Sequence, residues 1–231
     1  MPFLDDTGIS TEVDRGPLWS AFATFASQLE RMVLLNLAWA LQLMPLIIAM
    51  AFYRLPEALR IALVIYTLAA LPPATAALYG VVALVRDDEH LNPDMVRDQL
   101  RRLWLAGYKN LAPLYGLLGF VIWGAYQAQT TLISALFQLI LLLLLVCANY
   151  WGPLTAAHPQ RQPLAVLAES VSLVWRYPLQ ALLVSGSVAL TLALGLISVG
   201  GLFLAVPVIM ALLQSYMSAF VSQPHGTARL T

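Results

Sequence analysis

The chain has 231 residues, of which 60% are hydrophobic and 10% charged, and its formal net charge is zero. An ordinary soluble domain has about 25% charged residues, so this chain has too little charge to cover a water-facing surface, and its mean hydropathy is +0.78. The balanced charge excludes a basic nucleic-acid-binding surface. The single cysteine, Cys147, excludes a disulfide framework and a cysteine-based zinc site. The composition therefore predicts an all-α, polytopic membrane protein that has the lipid bilayer as its first partner.

The N-terminal arm, residues 1–31, carries acidic residues where a signal peptide would carry basic ones, including Asp5 and Asp6. We therefore expect internal spans, rather than a cleaved signal, to direct the chain to the membrane. Within the arm, apolar residues recur at helical spacing from Pro17 to Leu29. This pattern predicts an amphipathic helix at the membrane surface.

Six apolar segments follow, and a spanning helix needs about 20 such residues. The predicted spans lie near residues 32–52, 59–85, 111–126, 131–151, 179–199 and 201–221, and a tail covers 222–231. Gly200 and Gly201 are the expected turn between the last two spans, with Gly195 and Pro207 as alternative breaks.

The basic residues are distributed unevenly between the two sides of a six-span chain. Arg54 and Arg60 fall on one side, and the other ten of the 12 basic residues fall on the side of both termini. By the positive-inside rule, the side with ten is cytoplasmic. Both termini are therefore expected inside the cell.

The connectors on that side are predicted to form helices that lie along the bilayer surface. Asn92, Pro93 and Asp94 form a typical helix start, with an N-cap, a proline in the first turn and an acid near the helix N-terminus. The residues expected to contact the membrane surface are Arg97, Arg101, Arg102 and Trp104. Residues 163–177 repeat the pattern, so the chain reads as three units of one interfacial helix plus two spans. Two explanations stay open, an internal repeat or the tendency of any such connector to lie on the bilayer.

No Asp, Glu, Lys, Arg or His lies deep in a predicted span, which disfavours a proton pump or a charge-coupled carrier. Pro72 and Pro73 interrupt the second span, where they remove two backbone donors and should kink or break the helix. Broken helices form binding sites in many transporters, although a proline kink can also serve packing alone. The candidate ligand-lining or helix-break residues are Pro72, Pro73, Thr75, Tyr79 and Asn36. For the polar ones, the alternative is an interhelical hydrogen bond.

Catalytic constellations are missing from the sequence. His90, His158 and His225 fall in predicted loops or the tail, and none has a histidine three or four residues away. The hydrolase, P-loop and zinc-protease motifs do not occur. We therefore predict no catalytic residue, no metal, no cofactor and no enzyme activity.

Three sequence features together resemble the YesL-like family of bacterial integral membrane proteins, a domain family of unknown function. They are Asn36–Trp39 with Pro45 after it, Leu71–Tyr79, and the segment from Trp104 to Asn110. The resemblance covers residues 15–220 and implies a multi-pass protein of the bacterial cytoplasmic membrane. Members of that family are similar to permeases, and some are associated with carbohydrate uptake or degradation. The resemblance carries no catalytic or ligand residues.

Two functions follow as expectations. The first is a permease-like or accessory component for uptake of a neutral solute such as a saccharide. The second is a non-transporting scaffold or assembly subunit, with other membrane subunits or further copies of the chain as partners. A polar cavity near Pro72 and Pro73, lined by Thr75 and Tyr79, would favour the first, and a dry apolar bundle the second.

Overall fold

The computed structural model describes residues 16–87, 90, 92–128, 130–197 and 205–222. These residues form ten α-helices and one π-helical turn, without a β-strand among them, so the predicted all-α fold is confirmed. The helices are α1 Pro17–Ser27, α2 Leu29–Ala40, α3 Met44–Ala51, α4 Glu57–Arg86, α5 Pro93–Ala106, α6 Ala112–Gln127, α7 Thr131–Ala157, α8 Pro163–Arg176, α9 Pro178–Ile197 and α10 Val206–Ser222. The predicted turn at Gly200 and Gly201 lies outside the described residues.

Three helices of the described chain, α4, α7 and α9, are long and apolar enough to cross a membrane. A fourth is reached if α2 and α3, which are bent by 51° at a short break, form one span. The shorter α10 is also apolar. The predicted helices are present, but the count of six spans goes beyond what these criteria establish.

The chain breaks near Pro45 and not at Pro72 and Pro73. Helix α4 runs without interruption through Pro72 and Pro73, so the predicted alternative of a break there is wrong. The break lies instead at Leu41–Leu43, just before Pro45 in the first turn of α3. Because proline has no N–H and its ring crowds the preceding turn, the backbone shortens to i→i−3 hydrogen bonds such as Leu43 N–H to Ala40 O, at 2.9 Å.

Helix starts follow the sequence signals. The side chain of Asn92 accepts the Asp94 N–H at 3.1 Å, and Pro93 occupies the first turn of α5. Helix α5 then continues without a gap through the π turn Gly107–Leu111 into α6. The predicted surface helix and the third predicted span are therefore two parts of one long helix.

Helices α4 and α7 each divide into two parts. Residues 57–71 of α4 and 131–146 of α7, here called the exposed segments, are mostly apolar and mostly exposed. Residues 72–86 and 147–156, the enclosed segments, contain no exposed residue. Leu68, for example, is 67% exposed, whereas Val81 and Val82 are fully buried. The exposed segments are therefore suited to contact with lipid, and the enclosed segments are covered by protein.

The enclosed segments of α4 and α7 pack together with a third helix, α10. The central helices α4, α7 and α10 contact one another pairwise. The three helices predicted to be amphipathic, α1, α5 and α8, pack on α10, α4 and α7, respectively. The three units are α1–α4, α5–α7 and α8–α10, and the first helix of each unit packs on the last helix of another unit. This cyclic pattern favours the repeat interpretation of the three units.

Helix α5 runs antiparallel to α4. A Cβ added at Gly80 would lie 2.5 Å from Leu103 Cδ1, and one added at Gly107 would lie 2.6 Å from Pro73 Cα. These two close approaches allow the helices to meet along the whole enclosed segment of α4. The sequence indicated helix α5 but not this pairing, and its contact with lipid headgroups stays a prediction.

Candidate functional site

A chain of polar side chains connects the three central helices. The Tyr79 hydroxyl donates to Gln214 Oε1, and Gln214 Nε2 donates to Asn149 Oδ1 at 2.9 Å. Asn149 Nδ2 in turn donates to Ser185 Oγ on α9, also at 2.9 Å. Tyr79, Asn149 and Gln214, here called the polar triad, each lie about two turns before the last residue of their helix. The triad therefore joins equivalent positions of the three units.

Beyond the triad, the ends of the central helices surround a cavity of about 470 Å³, here called the vestibule. Its lining residues on α4 include Tyr79, Gly80 and Arg86, and those on α10 include Ser215 and Ser218. The end of α7 and the amphipathic helices α5 and α8 complete the wall. Because Tyr79 belongs both to the triad and to this wall, the triad lies at the border of the vestibule.

Gln99 on α5, beside the vestibule, has an unpaired side-chain acceptor that packs next to Gly80. Its side chain lines the cavity and is only 6% exposed. Its Oε1 atom has no hydrogen-bond partner among the described residues. Leaving a buried polar atom unpaired costs about 1–3 kcal/mol. A ligand or water that donates a hydrogen bond to Gln99 would remove this cost.

The charged groups of the vestibule are nearly all paired. Arg86 forms an ion pair with Asp87, with 3.0 Å between Nε and Oδ1, and Glu169 forms one with Arg161. Arg102 Nη2 donates to the carbonyl oxygen of Ala156 at 3.4 Å. That carbonyl lies in the last turn of α7, where a cation also meets the negative end of the helix dipole. The balance of charge leaves a polar cavity that is close to neutral.

His158 lies on the vestibule wall just after the end of α7. Desolvation lowers the pKa of its imidazole, and the nearby charge of Arg161 lowers it further. The neutral form is therefore favoured at neutral pH. This keeps one more positive charge out of the vestibule.

Of the predicted ligand-lining residues, only Tyr79 reaches the vestibule. Thr75 accepts a hydrogen bond from Trp39 Nε1 at 3.0 Å, which joins α2 to α4. Pro72 and Pro73 are buried, and both contact Gly107 of the π turn. Thr75, Pro72 and Pro73 therefore take part in contacts between helices and not in the vestibule wall.

Asn36 forms an interhelical hydrogen bond, which is the alternative that the sequence left open for it. Its Oδ1 atom accepts the N–H of Val208 at 3.0 Å. Val208 is the third residue of α10, so this N–H belongs to the first turn, which has no partner within the helix. Asn36 therefore caps α10 from α2.

The residues predicted to contact the membrane surface divide into two groups. Arg97, Arg101 and Trp104 are exposed on α5, as such contact requires. Arg102 is also exposed but lines the vestibule and donates to α7. Their contact with headgroups stays a prediction.

Sequence reasoning missed Gln99 and Gln214. The sequence does not indicate Gln99, because its amphipathic pattern predicts that α5 faces lipid and water and gives no sign that α5 packs on α4. Gln214 could have been found by aligning the ends of the three central helices, since Tyr79 and Asn149 occupy the corresponding positions. Hydropathy alone gives no such signal.

The described residues contain no group of three or more His, Cys, Asp or Glu side chains that could hold a metal ion. What the vestibule offers is hydrogen bonding, through hydroxyls, an amide and paired charges. No family model, curated protein or solved structure matches the chain.

Proposed function

We propose that this chain is a multi-pass membrane protein that binds a small, uncharged polar solute, such as a saccharide, in the vestibule and takes part in its uptake. The observation that carries the proposal is the buried, unpaired Oε1 of Gln99, a residue that lines a polar cavity. A saccharide hydroxyl can donate to this oxygen and accept from other donors at the same time. The resemblance to permease-like YesL proteins supports the same proposal.

The charge balance supports a neutral solute over an ion. Arg86 and Glu169 each have an ion-pair partner, and Arg102 is held by a carbonyl oxygen. A charged ligand would have to compete with these contacts and replace its own hydration. A neutral polyol needs only hydrogen-bond partners, and Ser215, Ser218 and Gln99 supply them.

The proposal includes six spans, with the vestibule on the cytoplasmic side. Sixteen residues, the length of the exposed segment of α7, rise about 24 Å. This is close to the bilayer hydrocarbon core of about 30 Å. Arg86, Arg102 and Arg161 then lie beyond the core, on the side that the positive-inside rule assigns to the cytoplasm.

The alternative is a non-transporting scaffold. Thr75, Asn36 and the two prolines of α4 serve helix packing, which favours this alternative for the region where the binding site was first expected. A scaffold has no use for an open cavity with an unpaired acceptor, so the vestibule favours solute binding.

The test is ligand-induced stabilisation of the purified protein in nanodiscs. Neutral mono- and disaccharides would be compared with a sugar phosphate in thermal unfolding. A ligand at 100 times its Kd stabilises by about 2.7 kcal/mol, which at this length raises Tm by several degrees. We expect this shift for at least one neutral saccharide.

The variant Gln99→Leu should abolish the shift, because it removes the unpaired acceptor but keeps the side-chain volume. Gln138→Leu is the matched control, since Gln138 is an exposed glutamine on α7 far from the vestibule wall. An equal shift in Gln99→Leu, or stabilisation by the sugar phosphate alone, would contradict the proposal.

A further inference from the structure

A second cavity lies near Pro72 and Pro73, on a different side of α4 from the vestibule. It has a volume of about 290 Å³ and lies between α4, α5 and the α2–α3 break. Its aromatic lining residues are Tyr66, Trp104 and Tyr108. Trp104 and Tyr108 meet edge to face, with ring centroids 5.5 Å apart and an interplanar angle of 72°. Two rings at this angle form a corner rather than a flat stacking platform.

The remaining wall is uncharged. Of the described residues that line the cavity, none carries a formal charge. Gln42 and Tyr66 are already joined, since the Tyr66 hydroxyl donates to Gln42 Oε1 at 3.1 Å. The cavity therefore offers few hydrogen bonds to a saccharide.

Two backbone carbonyls of α4 close to this cavity lack their usual partners. Pro72 and Pro73 have no N–H, so the carbonyl oxygens of Leu68 and Ala69 lack their usual donors four residues later. Ala69 lines the cavity. Aromatic faces attract cations through the ring quadrupole, and clusters of aromatic rings are a known way of recognising quaternary ammonium groups.

We propose that this cavity, here called the aromatic pocket, binds a trimethylammonium group. Such a group has no N–H to satisfy, which suits a pocket of aromatic rings and alanine side chains. It occurs both in small solutes such as choline and in phosphocholine lipid headgroups. Exposed Arg101 and Lys109 each follow a lining residue in the sequence, and they suit the phosphate of such a headgroup. The proposal is independent of the vestibule and its solute.

The test measures binding of tetramethylammonium and choline to the purified full chain in phosphatidylglycerol nanodiscs, which contain no quaternary ammonium group. Saturation-transfer NMR would follow the ligand methyl protons. The neutral carbon isostere of choline, 3,3-dimethylbutan-1-ol, has the same shape without the charge. We expect saturable binding of both cations, at least tenfold tighter than that of the isostere.

Variants separate the ring faces from the hydrogen bond. Trp104→Leu should weaken choline binding at least tenfold, and Trp104→Phe should weaken it less. Tyr66→Phe keeps the ring and should bind as well as the parent protein. Trp175→Leu is the matched control, because Trp175 is an exposed tryptophan on the corresponding helix α8. Equal binding of the isostere, or unchanged binding in Trp104→Leu, would overturn the proposal.

A competition experiment identifies the source of the group. Short-chain phosphatidylcholine that displaces choline would indicate a lipid headgroup as the ligand, and failure to displace it would indicate a free solute. Both results require the trimethylammonium site, whereas absence of choline binding refutes it. Saccharide binding in the vestibule is measured separately, so the two proposals fail independently.

Discussion

The two parts of α4 have similar apolar sequences and opposite surroundings. Residues 57–71 expose Leu59, Ile61 and Ile65, whereas residues 72–86 bury Ala76, Val81 and other apolar side chains. Helix α7 repeats this division. The exposed segments are suited to lipid as a partner, and the enclosed segments have the amphipathic helices and α10 as theirs. An apolar residue therefore indicates that its side chain avoids water, but it does not indicate whether lipid or protein covers that side chain.

The largest effect is expected on adding a methyl group at a glycine that packs on the enclosed segment of α4. Gly107→Ala places a Cβ 2.6 Å from the Pro73 Cα, and backbone atoms cannot move aside easily. We expect a loss of about 1–3 kcal/mol in the free energy of unfolding. Chemical unfolding in mixed micelles measures it.

Gly116→Ala is the matched control, since a Cβ at this exposed position on α6 meets no atom within 4 Å. It should leave stability unchanged or raise it by up to about 1 kcal/mol through helix propensity. If the two variants behaved alike, the close packing of α5 on α4 would be wrong.

A smaller effect is expected when a polar group of the triad is removed. Asn149→Leu leaves Gln214 Nε2 without its acceptor in a buried site. The expected loss of stability is about 1–2 kcal/mol, since the unpaired group pays for its desolvation. Gln138→Leu, in the exposed segment of the same helix, should change stability by less than about 0.5 kcal/mol. Equal effects of the two substitutions would show that the enclosed segments are not distinct.

Asn36 tests the contact between α2 and the start of α10. Asn36→Ala removes the oxygen that accepts the Val208 N–H and should cost about 1 kcal/mol, the usual value of a helix N-cap. Hydrogen exchange at the Val208 amide would follow the cap directly, and an unchanged rate in Asn36→Ala would refute it.

The smallest effect concerns pH. Because the pKa of His158 is lowered in the folded protein, the unfolded chain binds a proton first as the pH falls. The contribution of His158 to the free energy of unfolding is complete above the ordinary histidine pKa of about 6.5. It is lost as the pH falls towards and through the lower pKa that His158 has in the folded protein. His158→Gln should flatten this part of the stability profile between neutral and mildly acidic pH. An unaltered profile would contradict the shifted pKa.

Hydropathy and capping signals were enough to predict the helices and most of their ends. Asn92 and Pro93 begin α5 as expected, and Arg86 ends α4 within one residue of the predicted limit. These features depend on neighbours in the sequence. Of the two alternatives for Pro72 and Pro73, packing within a continuous helix is the one observed, and both prolines lie against Gly107 of the π turn.

The candidate site could be predicted only in part. Tyr79 was singled out by its polar side chain in an apolar span, and it does line the vestibule. Gln99 and Gln214 reach the same region because α5 folds back along α4 and because α10 meets both other central helices. These are contacts between distant parts of the chain, and no local pattern indicates them.

The division of the long helices can be tested directly with spin labels on single cysteines in nanodiscs, with Cys147 replaced by alanine. Labels at Leu68 and Leu139 report on the exposed segments of α4 and α7, and labels at Ala83 and Ala157 report on the vestibule wall. We expect collisions with oxygen to dominate at the first pair and collisions with a water-soluble nickel chelate to dominate at the second. Equal access of the nickel chelate to Leu139 and Ala157 would contradict the division into a lipid-facing part and a solvent-reachable vestibule.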